Sequence, residues 1–289
     1  MGIYSMTGYA ALDRDLGQVS LHLELKSVNG RFLDLAFRCG EELRFLEMPL
    51  RERLTAAIGR GKVDCRLYLQ AGHAAVPHLA PDLVLVRRLG ELDAAVREVL
   101  PAAAPLSVAE ALRWPGVLAA ETLAAERLQA ECFALLDDVL RDFLASRARE
   151  GAKLADVLRA RVARMRAEIA KVEPLLPAAV ADYTERLAAK LREAVANLDE
   201  ERIRQEIGVF AAKIDVAEEL ARLVAHLAEV ERVLDRGGAV GKRLDFLMQE
   251  LNREANTLAS KSVSAAVTAV ALELKLLIEQ MREQVQNLE

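Results

Sequence analysis

Arg243-Leu-Asp-Phe-Leu-Met-Gln-Glu250-Leu-Asn-Arg-Glu254-Ala-Asn256-Thr-Leu-Ala-Ser-Lys261 reads as one helix with two unlike faces. At about 100° per residue, Leu244, Leu247, Met248, Leu251, Ala255 and Leu258 form a single apolar stripe, which must pack on the body of the protein. Opposite it, Glu250, Arg253, Glu254, Thr257 and Lys261 fall within a narrow arc flanked by Asp245, Gln249, Asn252 and Asn256. Two carboxylates one turn apart can share a metal ion or divide acid and base roles, and an arginine beside them can hold a phosphate. The plain alternative is a solvated face of i to i+4 ion pairs. Asn252 and Asn256 weigh against it, because they are poor helix formers with little use on a face shaped only for solubility.

Upstream, a helix beginning near Asp215 places Asp215, Glu218, Glu219, Arg222, His226 and Glu229 on one face, with Val216, Leu220, Leu223, Leu227 and Val230 on the other. The turn at Arg236-Gly-Gly238 to Gly241 can fold this helix back against the next, so that two acidic stripes face each other or a common groove. Phosphodiester cleavage needs an activated nucleophile, stabilisation of transition-state charge and help for the leaving oxygen. Carboxylates holding Mg²⁺ or Mn²⁺ meet the first two needs. Glu219, Glu250 and Glu254 are the candidate metal ligands, His226 a ligand or a general base or acid, and Arg253 the phosphate clamp.

The rest of the C-terminal half is also helical. Val267, Val270, Leu274, Leu277, Met281 and Leu288 follow a 3-4 spacing that suits burial within the chain or a subunit contact equally. Helical periodicity runs from Glu121, with breaks at Glu173-Pro174 and Pro177. The N-terminal part alternates instead: Val19, Leu21, Leu23 and Leu25, then Leu33, Leu35 and Phe37 after Asn29-Gly30, which signals a β-hairpin. Glu41 to Ile58 has helical spacing, and Val63, Cys65, Leu67 and Leu69 alternate again. The predicted fold is α+β, a small antiparallel sheet with a helix followed by long helices. The expected domains are 1–150, with peripheral helices, and 151–289.

Between them, Ala71 to Pro81 reads as a linker or a long loop in which His73 and His78 are loop residues. Leu83 to Leu100 reads as a helix, Ser107 caps a short one reaching Arg113, and Trp114 to Val117 is a turn with Trp114 as a packed anchor.

Composition bounds the function. At 289 residues, 53% hydrophobic and 4% aromatic, the chain is long enough for two cores built largely of alanine and leucine. Three separated cysteines, Cys39, Cys65 and Cys132, have no zinc or disulfide spacing, and no run approaches a membrane span, so a cytoplasmic protein is expected. A net charge of −5 confines any nucleic-acid site to a local basic surface.

Ser5-Met-Thr-Gly-Tyr9, Glu24-Leu-Lys-Ser-Val-Asn29, Arg31-Phe-Leu-Asp34, Arg60-Gly-Lys-Val63, Arg149-Glu-Gly151, Gln205-Glu206, Lys213-Ile-Asp215, Glu218-Glu-Leu220, His226 and the block from Gly241 to Lys261 together resemble the YicC-type endoribonucleases over almost the full chain. Gly30, Cys39-Gly40 and Ala259 depart from the family pattern, which expects a bulkier residue, a proline and a glycine there. The resemblance implies divalent-metal-dependent cleavage of single-stranded RNA, including small regulatory RNAs, by a ring-like homo-oligomer, a hexamer, with other RNA-decay proteins as partners. It also favours RNA contact at Asn29, Arg31, Arg60 and Lys62, beside strand ends, with Lys26 and Arg38 extending the patch. Asn252, Asn256 and Lys261 are the RNA-binding candidates on the late helix. Two other readings are a non-catalytic adaptor that delivers small RNAs to another nuclease, and a structural helical oligomer whose polar stripes are subunit ion pairs.

Overall fold

The computed structural model describes residues 2–17, 19–71, 80–118, 124–194 and 200–289. Four strands, β1 (Gly8–Asp15), β2 (Val19–Val28), β3 (Leu33–Cys39) and β4 (Gly61–Ala71), form one sheet in the order β1-β2-β4-β3. Helix α1 (Glu47–Ala57) follows a 3-10 turn at Glu41–Leu46. Strand alternation sorts the faces: Leu21, Leu23, Leu25, Val63, Cys65 and Leu67 are buried on one side, against α1 and the start of α4 (Ala125–Val172).

The expected hairpin across Asn29-Gly30 does not form. β4 lies between β2 and β3, pairing antiparallel with the first and parallel with the second. The antiparallel expectation therefore holds for β1–β2 and β2–β4 and is corrected at the β3 edge. The physical reason is the intervening α1, which carries the chain over one face and returns it into the sheet between the two strands, a crossover that a tight hairpin would not need. The hairpin partner of β2 is β1, which pairs Tyr9 with Lys26 and Asp13 with His22.

Helix α4, 48 residues long, serves two cores. Leu128, Cys132, Leu135, Leu136, Val139, Leu140 and Phe143 close the sheet core, while Ala155, Leu158, Val162, Met165, Ile169 and Val172 enter the core of the later helices. It thus runs through residue 150, where the two expected domains were divided. A 3-10 turn at Glu173–Leu175 ends it at the expected proline break, leading to α5 (Leu176–Ala194), α6 (Glu200–Lys213), α7 (Ala217–Arg236), α8 (Gly241–Lys261) and α9 (Ala265–Val285). The α9 seam, Val267 to Met281, and Leu288 beyond it are buried in the chain's own core.

Both ends of the described chain meet on α4. Ser5 bridges to Leu288, Met6 N–H donates to Asn287 O at 2.8 Å, and Glu289 N–H donates to Tyr4 O at 2.9 Å. Arg147, only 2% exposed, donates from Nε to Ser5 O at 2.5 Å and ion-pairs with Glu289. Gly151 passes so near the first segment that a Cβ there would collide with the Ile3 carbonyl oxygen. Thr7 Oγ1 completes the joint by donating to Glu150 at 2.8 Å.

Residues 80–118 are a two-helix excursion, α2 (Leu83–Val99) and α3 (Val108–Arg113), closed at its base by the Pro81–Leu118 bridge. Ser107 makes the expected capping box with Glu110. Trp114 corrects the expectation of a packed anchor. It is 51% exposed and borders a cavity of about 330 Å³ with Leu89, Leu106 and Glu110. Leu89 is the one buried residue of α2, so the excursion is too thin a layer to enclose an indole. The linker expected at 71–81, with His73 and His78, lies mostly outside the described residues, as do positions 121–123 of the expected helix start.

The three cysteines are free. Burial pushes the thiols of Cys65 and Cys132 up to about 12 and raises that of Cys39, so all three stay protonated near neutrality. No described helix is long and apolar enough to cross a membrane.

Candidate functional site

Helices α7 and α8 form an antiparallel pair because Gly237 and Gly238 take φ of 65° and 81°, which side chains with a Cβ rarely adopt. Leu223, Leu227, Val230, Leu244, Leu247, Met248, Leu251, Ala255 and Leu258 are all buried, as the apolar stripes require. The polar arc of α8 does not lie wholly opposite that stripe. Arg253 is exposed and Glu250 half-buried, but Glu254 turns under α7 and is 4% exposed. Glu219 on α7 is likewise 5% exposed.

Each buried carboxylate meets one base from the other helix. Lys261 Nζ donates to Glu219 Oε1 at 2.8 Å and to Asp215 O at 3.0 Å. Arg222 lies 3.6 Å from Glu254 Oε1 and also pairs with Glu218 at 2.5 Å. Glu219 Oε2 is buried with no hydrogen-bond partner, an uncompensated acceptor of the kind that attracts a cation or a donor. His226, one turn beyond Arg222, is half-buried.

Toward the glycine turn, Glu229 accepts from Arg232 at 2.7 Å and Arg243 at 3.2 Å. The hydrogen bond from Arg232 is the main cause that holds its carboxyl down to about 2. Asn256 donates to Asn252 Oδ1 at 2.7 Å, which links those two amides along the outer edge.

Among the described residues no three His, Cys, Asp or Glu side chains converge as a metal-holding group. Glu219 and Glu254 are brought into one helix interface, Glu250 lies one turn before Glu254 and His226 two turns beyond Glu219, both half-buried, and Arg253 is exposed with no carboxylate partner among the described residues. A Mg²⁺-type ion needs only one or two protein carboxylates when waters and substrate phosphates complete its shell, and the orphaned oxygen of Glu219 suits that mode. Lys261, expected at RNA, is tied down by Glu219. Arg222, which joins Glu254, was on the sequence stripe but outside the candidate set. The signal for it was its position three residues after Glu219, one helical turn along the same face.

The N-terminal candidates sit elsewhere. Asn29 Nδ2 donates to Gln286 O at 2.7 Å, anchoring the β2–β3 loop to the end of α9. Arg31 and Lys62 are exposed, while Arg60 is half-buried with its Nε unpartnered. At Gly30 a Cβ would come within 2.8 Å of Lys62 N, so the small residue there permits the close approach of loop and strand. Since Gly241, at the start of α8, abuts Leu288, this cluster lies by that end of α8, and Glu254 is about 20 Å further along it.

Comparison with known proteins covers the whole arrangement. Residues 3–156 match the family described as Endoribonuclease YicC-like, N-terminal region, and residues 172–289 match Endoribonuclease YicC-like, C-terminal. A Haemophilus influenzae protein named "Probable endoribonuclease YicC" is 42% identical over 293 residues, covering 99% of this chain and 100% of that protein. A Clostridioides difficile protein of the same name is 27% identical over 292 residues, covering 99% of each. With both halves matched in order, and the quoted motifs accounting for the joint, the sheet and the α7–α8 pair, the chain belongs to the YicC-like endoribonuclease family.

Proposed function

We propose that the chain is an endoribonuclease that cuts single-stranded RNA, including small regulatory RNAs, at the α7–α8 pair, as a cytoplasmic homo-oligomer, a hexamer, assisted by a divalent cation. The names of its relatives support the activity. The observation that carries the location is the pair of buried carboxylates, Glu219 and Glu254, each facing one base, with Glu219 Oε2 unpartnered.

Glu219 and Glu254 would hold the cation, with Glu250 and His226 at its margin. When bound, Mn²⁺ or Mg²⁺ would supply an acidified water and offset charge on the phosphorane-like transition state. Arg253, exposed and unpaired among the described residues, is placed to clamp a phosphate. His226, half-buried on α7, would accept or return a proton at the nucleophile or leaving oxygen. Asn252 and Asn256 offer amide donors and acceptors along the approach. Assembly is supported by the apolar face of the excursion, where Leu83, Val84, Val96, Val99 and Val108 are exposed.

A second reading, the non-catalytic RNA adaptor, is favoured by the lack of a three-ligand cluster among the described residues. Cleavage of an end-labelled single-stranded RNA with Mn²⁺, Mg²⁺ or EDTA separates the two. Internal cuts that need metal and vanish in a Glu250→Gln/Glu254→Gln variant of unchanged oligomeric state support the nuclease. Tight binding without cutting in any metal supports the adaptor.

A further inference from the structure

The outer face of the sheet carries a second, separate pattern. Its rows follow from the register. Tyr9, Lys26 and Asp64 lie side by side, the next row holds Val28, Lys62 and Asp34, and the row on the other side holds Ala11, Glu24, Arg66 and Arg38. Away from the loop end the charges are spent internally. Arg66 meets Asp64 at 3.3 Å and Glu24 at 3.8 Å, Arg38 meets Asp64 at 3.9 Å, and His22 meets Asp13 at 2.5 Å.

At the end that holds the β2–β3 loop the balance differs. Lys26, Lys62 and Arg31 are exposed and make no ion pair among the described residues, and Asp34 is the one carboxylate of these rows without an ion pair there. In a chain of net charge −5 this is a local excess of positive charge. Two aromatic rings stand in it. Tyr9 is 56% exposed on edge strand β1, and Phe32, at the start of the other edge strand β3, is 75% exposed with the Arg31 guanidinium 5.7 Å from its ring centroid. Three strand spacings, about 14 Å, separate the two edges.

From this geometry we infer that the sheet end formed by Tyr9, Lys26, Arg31, Phe32 and Lys62 is a stacking platform for unpaired RNA bases. The inference rests on the RNA reading above and assigns its single-strand selectivity to this face. Tyr9 and Phe32 each receive one base on an exposed ring, Arg31 extends the Phe32 surface, and Lys26 and Lys62 neutralise the phosphates between. A large exposed phenylalanine costs the free protein burial it could otherwise have had, and base stacking recovers it. Duplex RNA keeps its bases stacked on one another and cannot offer those faces, so it is discriminated against without any base-edge contact. The platform lies toward the start of α8, and Glu254 is about 20 Å further along that helix, so it holds a segment of the strand away from the cut.

The test is binding of fluorescent oligonucleotides to the full-length protein in EDTA, where no cleavage intervenes. The probes are a single-stranded RNA, the same RNA with abasic sites, and its duplex. Tyr9→Leu and Phe32→Leu are each expected to weaken single-strand binding about fivefold or more, with Phe32→Tyr restoring it and the abasic probe no longer distinguishing wild type from Phe32→Leu. Lys26→Ala should instead lower the salt dependence for every probe. Equal binding of normal and abasic RNA, or Leu variants indistinguishable from wild type, overturns the platform and leaves the nuclease reading standing. Failure of the wild-type protein to bind any RNA overturns both.

Discussion

The outer face of the sheet and the α7–α8 interface handle charge in opposite ways. On the sheet Asp64 and Glu24 are quenched by neighbouring arginines and the lysines near the β2–β3 loop are left over, in the open, beside exposed rings. Between the helices it is the carboxylates that are withdrawn from water, and the bases are drawn in to meet them. A surface with spare cations and aromatic faces suits holding a polyanion. An interface with costly buried carboxylates suits chemistry, because withdrawing a charge from solvent makes it act more strongly on whatever enters. The single helix α4, packed into both cores, and the joint of the two chain ends on Arg147 fix these regions relative to each other.

Separating the two regions by substitution gives a graded series. The largest expected effect is on catalysis: Glu250→Gln/Glu254→Gln should cut the rate by at least about 100-fold while RNA binding in EDTA stays within about twofold, checked by single-turnover cleavage and anisotropy. Next comes the core that supports the helix pair. Leu251→Ala should lower unfolding free energy by about 2–5 kcal/mol in a denaturant titration, with the slope of the transition kept. Gly151→Ala strikes the joint instead. It should cost about 1–3 kcal/mol by forcing the first segment off α4, with loss of protection at the Ser5 and Met6 amides in hydrogen exchange.

On the sheet, Lys26→Ala/Lys62→Ala should reduce the slope of log affinity against log salt by about 0.7 per cation. The smallest effect belongs to Glu229. Its folded carboxyl is depressed to about 2, so its contribution to stability is present above the ordinary carboxylate range and is lost as pH falls through that range toward 2. The melting-temperature difference between wild type and Glu229→Gln should therefore be constant above about pH 5 and vanish near pH 2.

Much of this was legible in the sequence because periodicity reports burial. Every residue of the α8 stripe from Leu244 to Leu258 is buried, the Gly237-Gly238 turn sits where the glycines are, and Ser107 caps α3. Strand pairing was not legible. Alternation says that residues 19–25 and 33–37 are strands, but nothing local says that β4 will come between them, since the order is decided by how α1 packs. The burial of Glu254 and Glu219 was hidden for a similar reason. A helix wheel ranks a position by its own neighbours, whereas Glu254 is covered by α7 and stabilised there by Arg222, some thirty residues away in sequence. Tyr9 and Phe32 were quoted only as parts of motifs, because an aromatic on a strand reads as core until its face is known.

The decisive measurement compares two variants on one labelled single-stranded RNA with Mn²⁺ or Mg²⁺, recording affinity and single-turnover rate for each. The Glu250→Gln/Glu254→Gln protein is expected to bind like wild type and not cut. The Tyr9→Leu/Phe32→Leu protein is expected to bind weakly yet cut at the wild-type rate once saturated. Cutting that persists in the carboxylate variant, at unchanged oligomeric state, would contradict the assignment of chemistry to the α7–α8 pair.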